Sequence, residues 1–291
     1  NTPNKINDVK VTAGICKIIG SNIKISGDKL EISTPEIKTS EVPLELGGTT
    51  RTAILLAGPL LHRTGEARIP IPGGCRIGSR PVNFHIDALV KLGCSVEMDD
   101  CFYNLKADRL KGANIKLDYP SVGATENILI AATLAKGRTN IFNAAVEPEI
   151  MDLIKFLQKM GAIIEISTDR RITIEGVDSL EGANHRVIPD RNEAASFACA
   201  AIASKGSVLV KDAMQDDLIT FLNTIRKVGG GYKVQDNGIR FFYKNELSPI
   251  ALETNVHPGF MTDWQQPFVI LLTQAHGVSI IHETVYEKRF G

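Results

Sequence analysis

The chain has 291 residues, 43% of them hydrophobic, and its 33 Lys+Arg balance 33 Asp+Glu, which is enough for two ordinary cores and argues against a polyanion-binding surface. No apolar run approaches the ~18 residues of a spanning helix, and the polar first ten residues resemble no signal peptide. The five cysteines (Cys16, Cys75, Cys94, Cys101, Cys199) are odd in number and lack metal spacing, a pattern that suits a reducing cytosol better than a disulfide framework.

In chain order, residues 1–35 hold a helix closing in KIIG at Gly20 and then a strand-rich run. From there a pattern recurs about every 70 residues. Helix-like apolar runs end in glycine: TAILLAGPLLHRTG at Gly65, NILIAATLAKG at Gly137, ASFACAAIASKG at Gly206 and FVILLTQAHG at Gly277. A second series ends at Gly93, Gly161 and Gly229 in VKLG, QKMG and RKVG. Glycine just past a helix relieves the strain of the left-handed cap, so these are stop signals with a mechanism. Between the two glycines of a repeat lie a short β-rich run, such as TNIFNA or SVLVKDA, and an amphipathic helix, such as EIMDLIKFLQKMG. After the second glycine come two alternating runs, AIIEIS and RITIEG, broken at Thr168-Asp169-Arg170, which predicts a hairpin. The repeat is therefore helix, strand, helix, strand, strand. Half-repeats at both ends would leave apolar faces uncovered, so the chain is expected to be an internal part of a longer one.

Two kinds of segment stand out chemically. The loop Pro72-Gly73-Gly74-Cys75-Arg76-Ile77-Gly78-Ser79-Arg80-Pro81 sets a thiol among three glycines and two arginines. Such a backbone can approach a ligand closely, nearby guanidinium charge favours thiolate, and the arginines suit carboxylate and phosphate. The connections between repeats are the other segments. Gly47-Gly48-Thr49-Thr50 with Arg51 precedes a predicted helix and is expected to form an anion site at its N-terminus. Corresponding connections carry Tyr119 to Thr125, Pro189 to Glu193 and Pro258 to Asp263. Helix capping is the expected role of Thr125 and Asp190, while at Asp263 the cap could equally fall to Thr262. Arg51, Cys75, Arg80, Ser121, Asp263 and Arg289 all lie in such loops or at element ends, a set suited to a small multiply anionic substrate and proton transfer.

PGGCRIGSRP, PSVGATENI, EPEIMDL, IPDRNEA and TDWQQPF followed by ETVYEKRF, in that order, resemble the enolpyruvyl transferase family, in its branch of UDP-N-acetylglucosamine 1-carboxyvinyltransferases. The resemblance runs through essentially the whole chain. It implies an α/β class fold of α+β repeats, the inside-out α/β barrel, with a first domain over 1–187 and a second over 188–291. It implies transfer of the enolpyruvyl group of phosphoenolpyruvate to the 3-hydroxyl of UDP-N-acetylglucosamine, the opening step of peptidoglycan precursor synthesis. Neither metal nor organic cofactor is implied, nor a nucleic-acid or membrane partner. Cys75 matches the family's loop cysteine, an acid toward the enol carbon and the target of fosfomycin, and Asp263 the carboxylate that accepts or orients the sugar hydroxyl proton. Arg51, Arg80 and Arg289 match substrate-binding arginines. Pro81, Val82, Asn83 and Phe84, with Tyr119, Pro120, Ser121, Val122 and Gly123, match the segments that hold the nucleotide; Thr262 and Val285 match positions near the sugar.

Departures from the family pattern are Asn83, where many members have Asp, and Lys288, where asparagine is common. A Lys-Asn pair expected before residue 1 and an arginine expected after residue 291 are absent, so the chain by itself is expected to be inactive. The alternatives are the sister transferase acting on shikimate 3-phosphate, against which the thiol loop and PSVGATEN speak, and a non-catalytic nucleotide-sugar-binding homologue. Cys16 and Cys199 fall in apolar helical runs and are expected in the core. His85 and His185 lie in no metal or triad spacing and read as surface or packing residues. Trp264 either shapes a sugar pocket or packs.

Overall fold

The computed structural model describes residues 6–71 and 82–289. The opening half-repeat is helix α1 (Asn7–Ile19) and the hairpin of β1 (Asn22–Ser26) and β2 (Lys29–Ser33), antiparallel with Asn22 opposite Ser33. A one-turn helix α2 (Leu44–Gly47) follows in the connection. The first whole repeat is α3 (Ala57–Thr64), β3 (Glu66–Pro70), α4 (Asn83–Lys91), β4 (Ser95–Met98) and β5 (Phe102–Lys106). The second, after β6 (Asn114–Lys116), is α5 (Val122–Ala132), β7 (Arg138–Phe142), α6 (Pro148–Lys159), β8 (Ile163–Ser167) and β9 (Arg171–Glu175). The third is α7 (Arg191–Ala203), β10 (Ser207–Lys211), α8 (Ile219–Lys227), β11 (Gly230–Gln235) and β12 (Gly238–Tyr243). Then come β13 (Ala251–Glu253), α9 (Thr262–Leu272) and β14 (Ile280–His282). The repeat order read from the glycine spacing is the order of the structure.

In each whole repeat the last strand lies in the middle: β3-β5-β4, β7-β9-β8 and β10-β12-β11. The hairpin closes onto the repeat's own first strand, and all of these pairings are antiparallel. Parallel contacts tie a connection to the repeat after it. Asn114 of β6 stands opposite Asn140 of β7, Ala251 of β13 opposite Ile280 of β14, and Glu41 bridges to Arg68. The connection over 176–190 carries no strand.

The chain forms two compact bodies. Among the described residues the first takes 6–71, 82–146 and Ile150–His185, and the second takes Glu147–Glu149 and 186–289. The first body's core joins Ile15, Leu60, Ile69, Leu89, Leu105, Ile128, Ile141 and Ile172, each fully or almost fully buried. Its α3 and α5 pack so closely that a Cβ at Gly58 would lie 2.9 Å from the Ala131 Cβ. The second body is built on aromatic rings. Phe221 lies 5.5 Å from Trp264 and 6.1 Å from Phe268 by ring centroids, both edge-on, the geometry that ring quadrupoles favour. Burying each such side chain contributes about 1.5–3 kcal/mol.

Three local expectations are corrected. The run TAILLAGPLLHRTG is not one α-helix: Thr52–Leu56 is a 3-10 turn and the α-helix begins at Ala57. Pro59 in the first turn lacks the amide that would extend the ladder back toward Leu55, so the chain tightens there instead. Thr125 is not a cap; it lies inside α5, where its hydroxyl donates to the Ser121 carbonyl and accepts from the Ala145 amide. Ser121 is the cap, accepting from the Ala124 amide at 3.3 Å. At the third long helix the left-handed residue is Lys205 (φ 56°) rather than Gly206. Asp190 does cap α7, taking the Asn192 amide at 2.7 Å.

Candidate active site

The site residues expected from the sequence fall into two groups, one in each body. Cys75, Arg80 and Pro81 lie outside the described residues.

In the second body, Asp263 is the second residue of α9 and its side chain is 45% exposed. Arg289 arrives from the turn after β14 and donates through Nη2 to Oδ1 of Asp263 at 2.7 Å and to Oε1 of Gln266 at 3.2 Å. The Arg289 side chain is only 7% exposed, so the guanidinium is fixed while the carboxylate keeps a face open to a ligand. A charge-assisted bond of this length is among the stronger kinds. Thr262, 8% exposed, does not cap α9. Met261 occupies the cap position without a side-chain bond, and the Thr262 hydroxyl donates to Oε2 of Glu283 at 2.9 Å. The other oxygen of Glu283 accepts from the amides of Val285 at 2.8 Å and Tyr286 at 3.1 Å. Thr262, Asp263, Val285 and Arg289 are thus brought together in one hydrogen-bonded group. Trp264 turns the other way: 1% exposed, it packs edge-on against Phe221 and Phe260.

In the first body, Val82 caps α4 by backbone alone and is buried, Asn83 is exposed, and Phe84 is half-buried. Tyr119, Pro120 and Ser121 lead into α5, with Val122 and Gly123 in its first turn. His85 joins the two helix starts. It is 6% exposed, Nδ2 of Asn127 lies 3.3 Å from its Nδ1, and a Cβ at Gly123 would stand 3.2 Å from its Cε1. Burial first, and the nearby Arg51 charge second, push the His85 imidazolium down to about 4. The ring is therefore neutral at physiological pH, as an acceptor for the Asn127 amide must be. Arg51 stands at the cap position of the 3-10 turn at Thr52–Leu56, so the helix expected to follow it opens as a 3-10 turn and not as an α-helix. Its guanidinium is near enough to act on His85, which puts a positive charge beside the segments 82–84 and 121–123.

Glu283, Gln266 and His85 were not singled out as site residues by the sequence. Glu283 had a signal, an acidic side chain two residues before Val285 at a turn, where a carboxylate can take consecutive amides. His85 had none, because its meaning depends on Asn127, far along the chain. Among the described residues no group of three or more His, Cys, Asp or Glu could hold a metal ion, and no helix is long and apolar enough to cross a membrane.

The family described as EPSP synthase (3-phosphoshikimate 1-carboxyvinyltransferase) matches residues 1–291. The chain belongs to that family. Among curated proteins it is 52% identical over 300 residues to the UDP-N-acetylglucosamine 1-carboxyvinyltransferase of Protochlamydia amoebophila, covering 100% of this chain and 64% of that protein. It is 50% identical over 298 residues to the protein of that name from Chlamydia pneumoniae, with the same coverage. The chain thus spans 64% of the length of these relatives. Its fold is that of the enolpyruvyl transferases: the enolpyruvyl transferase NikO of Streptomyces tendae superposes with a TM-score of 0.85 at 22% identity, over 97% of this chain and 68% of that one.

Proposed function

We propose that the protein carrying this chain transfers the enolpyruvyl group of phosphoenolpyruvate to the 3-hydroxyl of UDP-N-acetylglucosamine and releases phosphate. The observation that carries the reading is the half-exposed Asp263 carboxylate, held at 2.7 Å by a buried Arg289. A carboxylate so held presents its free oxygen in a fixed place, where a sugar hydroxyl can give up its proton. As the sugar oxygen bonds to the central carbon of phosphoenolpyruvate, a proton adds to the methylene carbon, from Cys75 in this reading. Loss of that proton from the methyl group and departure of phosphate restore the double bond in the product.

Both substrates are multiply anionic, which suits Arg51, Arg80 and Arg289. The segments 81–84 and 119–123 hold the nucleotide, with Thr262 and Val285 beside the sugar. No metal or organic cofactor takes part, and the protein works in the cytoplasm, in peptidoglycan precursor synthesis. A first domain ends near Val187 and a second begins near Ile188. The family description names the sister activity on shikimate 3-phosphate, but the relatives at about half identity carry the UDP-N-acetylglucosamine name.

The test is phosphate release by the full-length protein from phosphoenolpyruvate with each of the two acceptors, beside Cys75→Ser and Asp263→Ala variants. The expected result is release only with UDP-N-acetylglucosamine, cut by ~10²-fold or more in both variants. Release with shikimate 3-phosphate, or wild-type rates in both variants, would overturn the proposal. Labelling by fosfomycin that needs Cys75 separates the two sister activities a second way.

A further inference from the structure

Asp263 and Arg289 reach each other from different segments, the first turn of α9 and the turn after β14, and one side chain is bonded to both segments. Glu283 takes the hydroxyl of Thr262, the residue before Asp263, on Oε2 at 2.9 Å. On Oε1 it takes the amides of Val285 and Tyr286 at 2.8 and 3.1 Å, which open the turn that delivers Arg289. That turn closes on itself through the Arg289 amide, which donates to the Tyr286 carbonyl at 3.2 Å. Thr284 is anchored separately: its amide donates to Oγ1 of the buried Thr254 at 2.9 Å, and its hydroxyl to the Thr254 carbonyl. The strand end is therefore held by Thr254, while the path from it to Arg289, and the link from that path to α9, run through Glu283.

We propose that Glu283 is a positioning residue: it sets the distance between the Asp263 carboxylate and the Arg289 guanidinium by fastening both of their segments to one carboxylate. The inference deepens the reading of the site given above and rests on it. An acceptor with no bonded hydrogen is what three converging donors require, and a protonated or amide side chain meets only part of that demand. Without Glu283 the Thr262 hydroxyl and two amides lose their acceptor together. A shift of ~1 Å in a reacting group costs about 10²-fold in rate.

The experiment compares wild-type, Glu283→Ala, Glu283→Gln and Thr262→Val full-length proteins in steady-state turnover, thermal melting and amide hydrogen exchange. Glu283→Ala is expected to lower kcat by ~10- to 100-fold, because the carboxylate and guanidinium it sets apart no longer meet the sugar hydroxyl in place. Glu283→Gln, which keeps one oxygen for the two amides, is expected to recover part of that loss. In the double variant with Thr262→Val the two losses should fall short of additive, since they break one link. The Val285 and Tyr286 amides should exchange at least ~10-fold faster in Glu283→Ala, whether or not the protein turns over. Unchanged exchange at those amides, a wild-type kcat in Glu283→Ala, or a kcat loss that merely follows a falling Tm would each overturn the assignment of Glu283. A wild-type protein that turns over neither acceptor would instead refute the proposed activity, and the exchange measurement would still judge the link.

Discussion

Acidification should act on this protein through His85. The imidazole is buried between the starts of α4 and α5, with its pKa pushed down to about 4 by burial and then by Arg51. In the unfolded chain the same group takes a proton near its ordinary value of 6.5. Between those two values the unfolded state holds more protons than the folded one, so stability rises with pH from about 4 to about 6.5 and is level above. The gap of roughly 2.5 pH units corresponds to about 3 kcal/mol lost between pH 7 and pH 4 through this one side chain. Urea unfolding of wild type and His85→Gln at pH 7, 5.5 and 4.5 measures it, because the acid response of the carboxylates is common to both and cancels. The stability difference between the two proteins should shift by roughly 2.5 kcal/mol across that range, to the disadvantage of wild type in acid. An NMR titration of the His85 ring should find no midpoint above pH 5, and Arg51→Met should move the midpoint up. A difference that does not change with pH, or a ring titrating near 6.5, would refute the reasoning.

Other perturbations have equally definite outcomes. Trp264, the chain's single tryptophan, is 1% exposed among aromatic rings, and Trp264→Ala should cost ~3–5 kcal/mol in urea unfolding; under ~1 kcal/mol would mean that the ring does not pack as described. At Gly176 a Cβ would fall 1.6 Å from the Ala135 carbonyl oxygen, so Gly176→Ala should destabilise by ~3 kcal/mol or more in the same assay, whereas Gly182→Ala, with open space around it, should stay within about 0.5 kcal/mol. Thiol reactivity should follow burial. Burial pushes Cys94 up to about 11 and raises Cys199 further, so a disulfide reagent at neutral pH should modify exposed Cys101 well before either. A Cys199 as fast as Cys101 in the native protein would contradict the packing of α7 against its sheet.

The repeat was legible because its signals are local. Glycine stops, a period of two in AIIEIS and RITIEG, and a period near 3.6 in EIMDLIKFLQKMG each report on a few neighbouring residues, and the recurrence about every 70 residues multiplies them. Boundaries were less legible where two rules compete. Pro59 broke an apolar run that otherwise reads as one helix, and Lys205 took the strained conformation that Gly206 was expected to hold. The site was legible as motifs and not as geometry. Asp263 and Arg289 were both named, yet nothing in their spacing says that the guanidinium is buried against a half-exposed carboxylate. Thr262 could be a cap by its residue type, and only Glu283, 21 residues later, shows where its hydroxyl goes instead. His85 was read as surface or packing, and its burial beside Arg51, 34 residues earlier, gives it a titration that composition cannot foretell.

The parallel pairings between connections and the following repeats have a bearing on how such a chain avoids sticking to itself. β6 covers the outer edge of β7, and β13 that of β14, so those strands offer no bare row of amides and carbonyls on that side. The connection over 176–190 supplies no such cover, and β10 is left at the rim of its three-stranded sheet among the described residues. A bare rim is a template for a strand from another molecule. Here the rim is short, five residues, and Lys211 is its last residue. Beyond it Asp212, with φ of 60°, turns the backbone out of the extended path. An incoming strand would meet a cation and then a bend at the end of β10, so protection that elsewhere comes from a neighbouring segment is supplied there by charge and by shape.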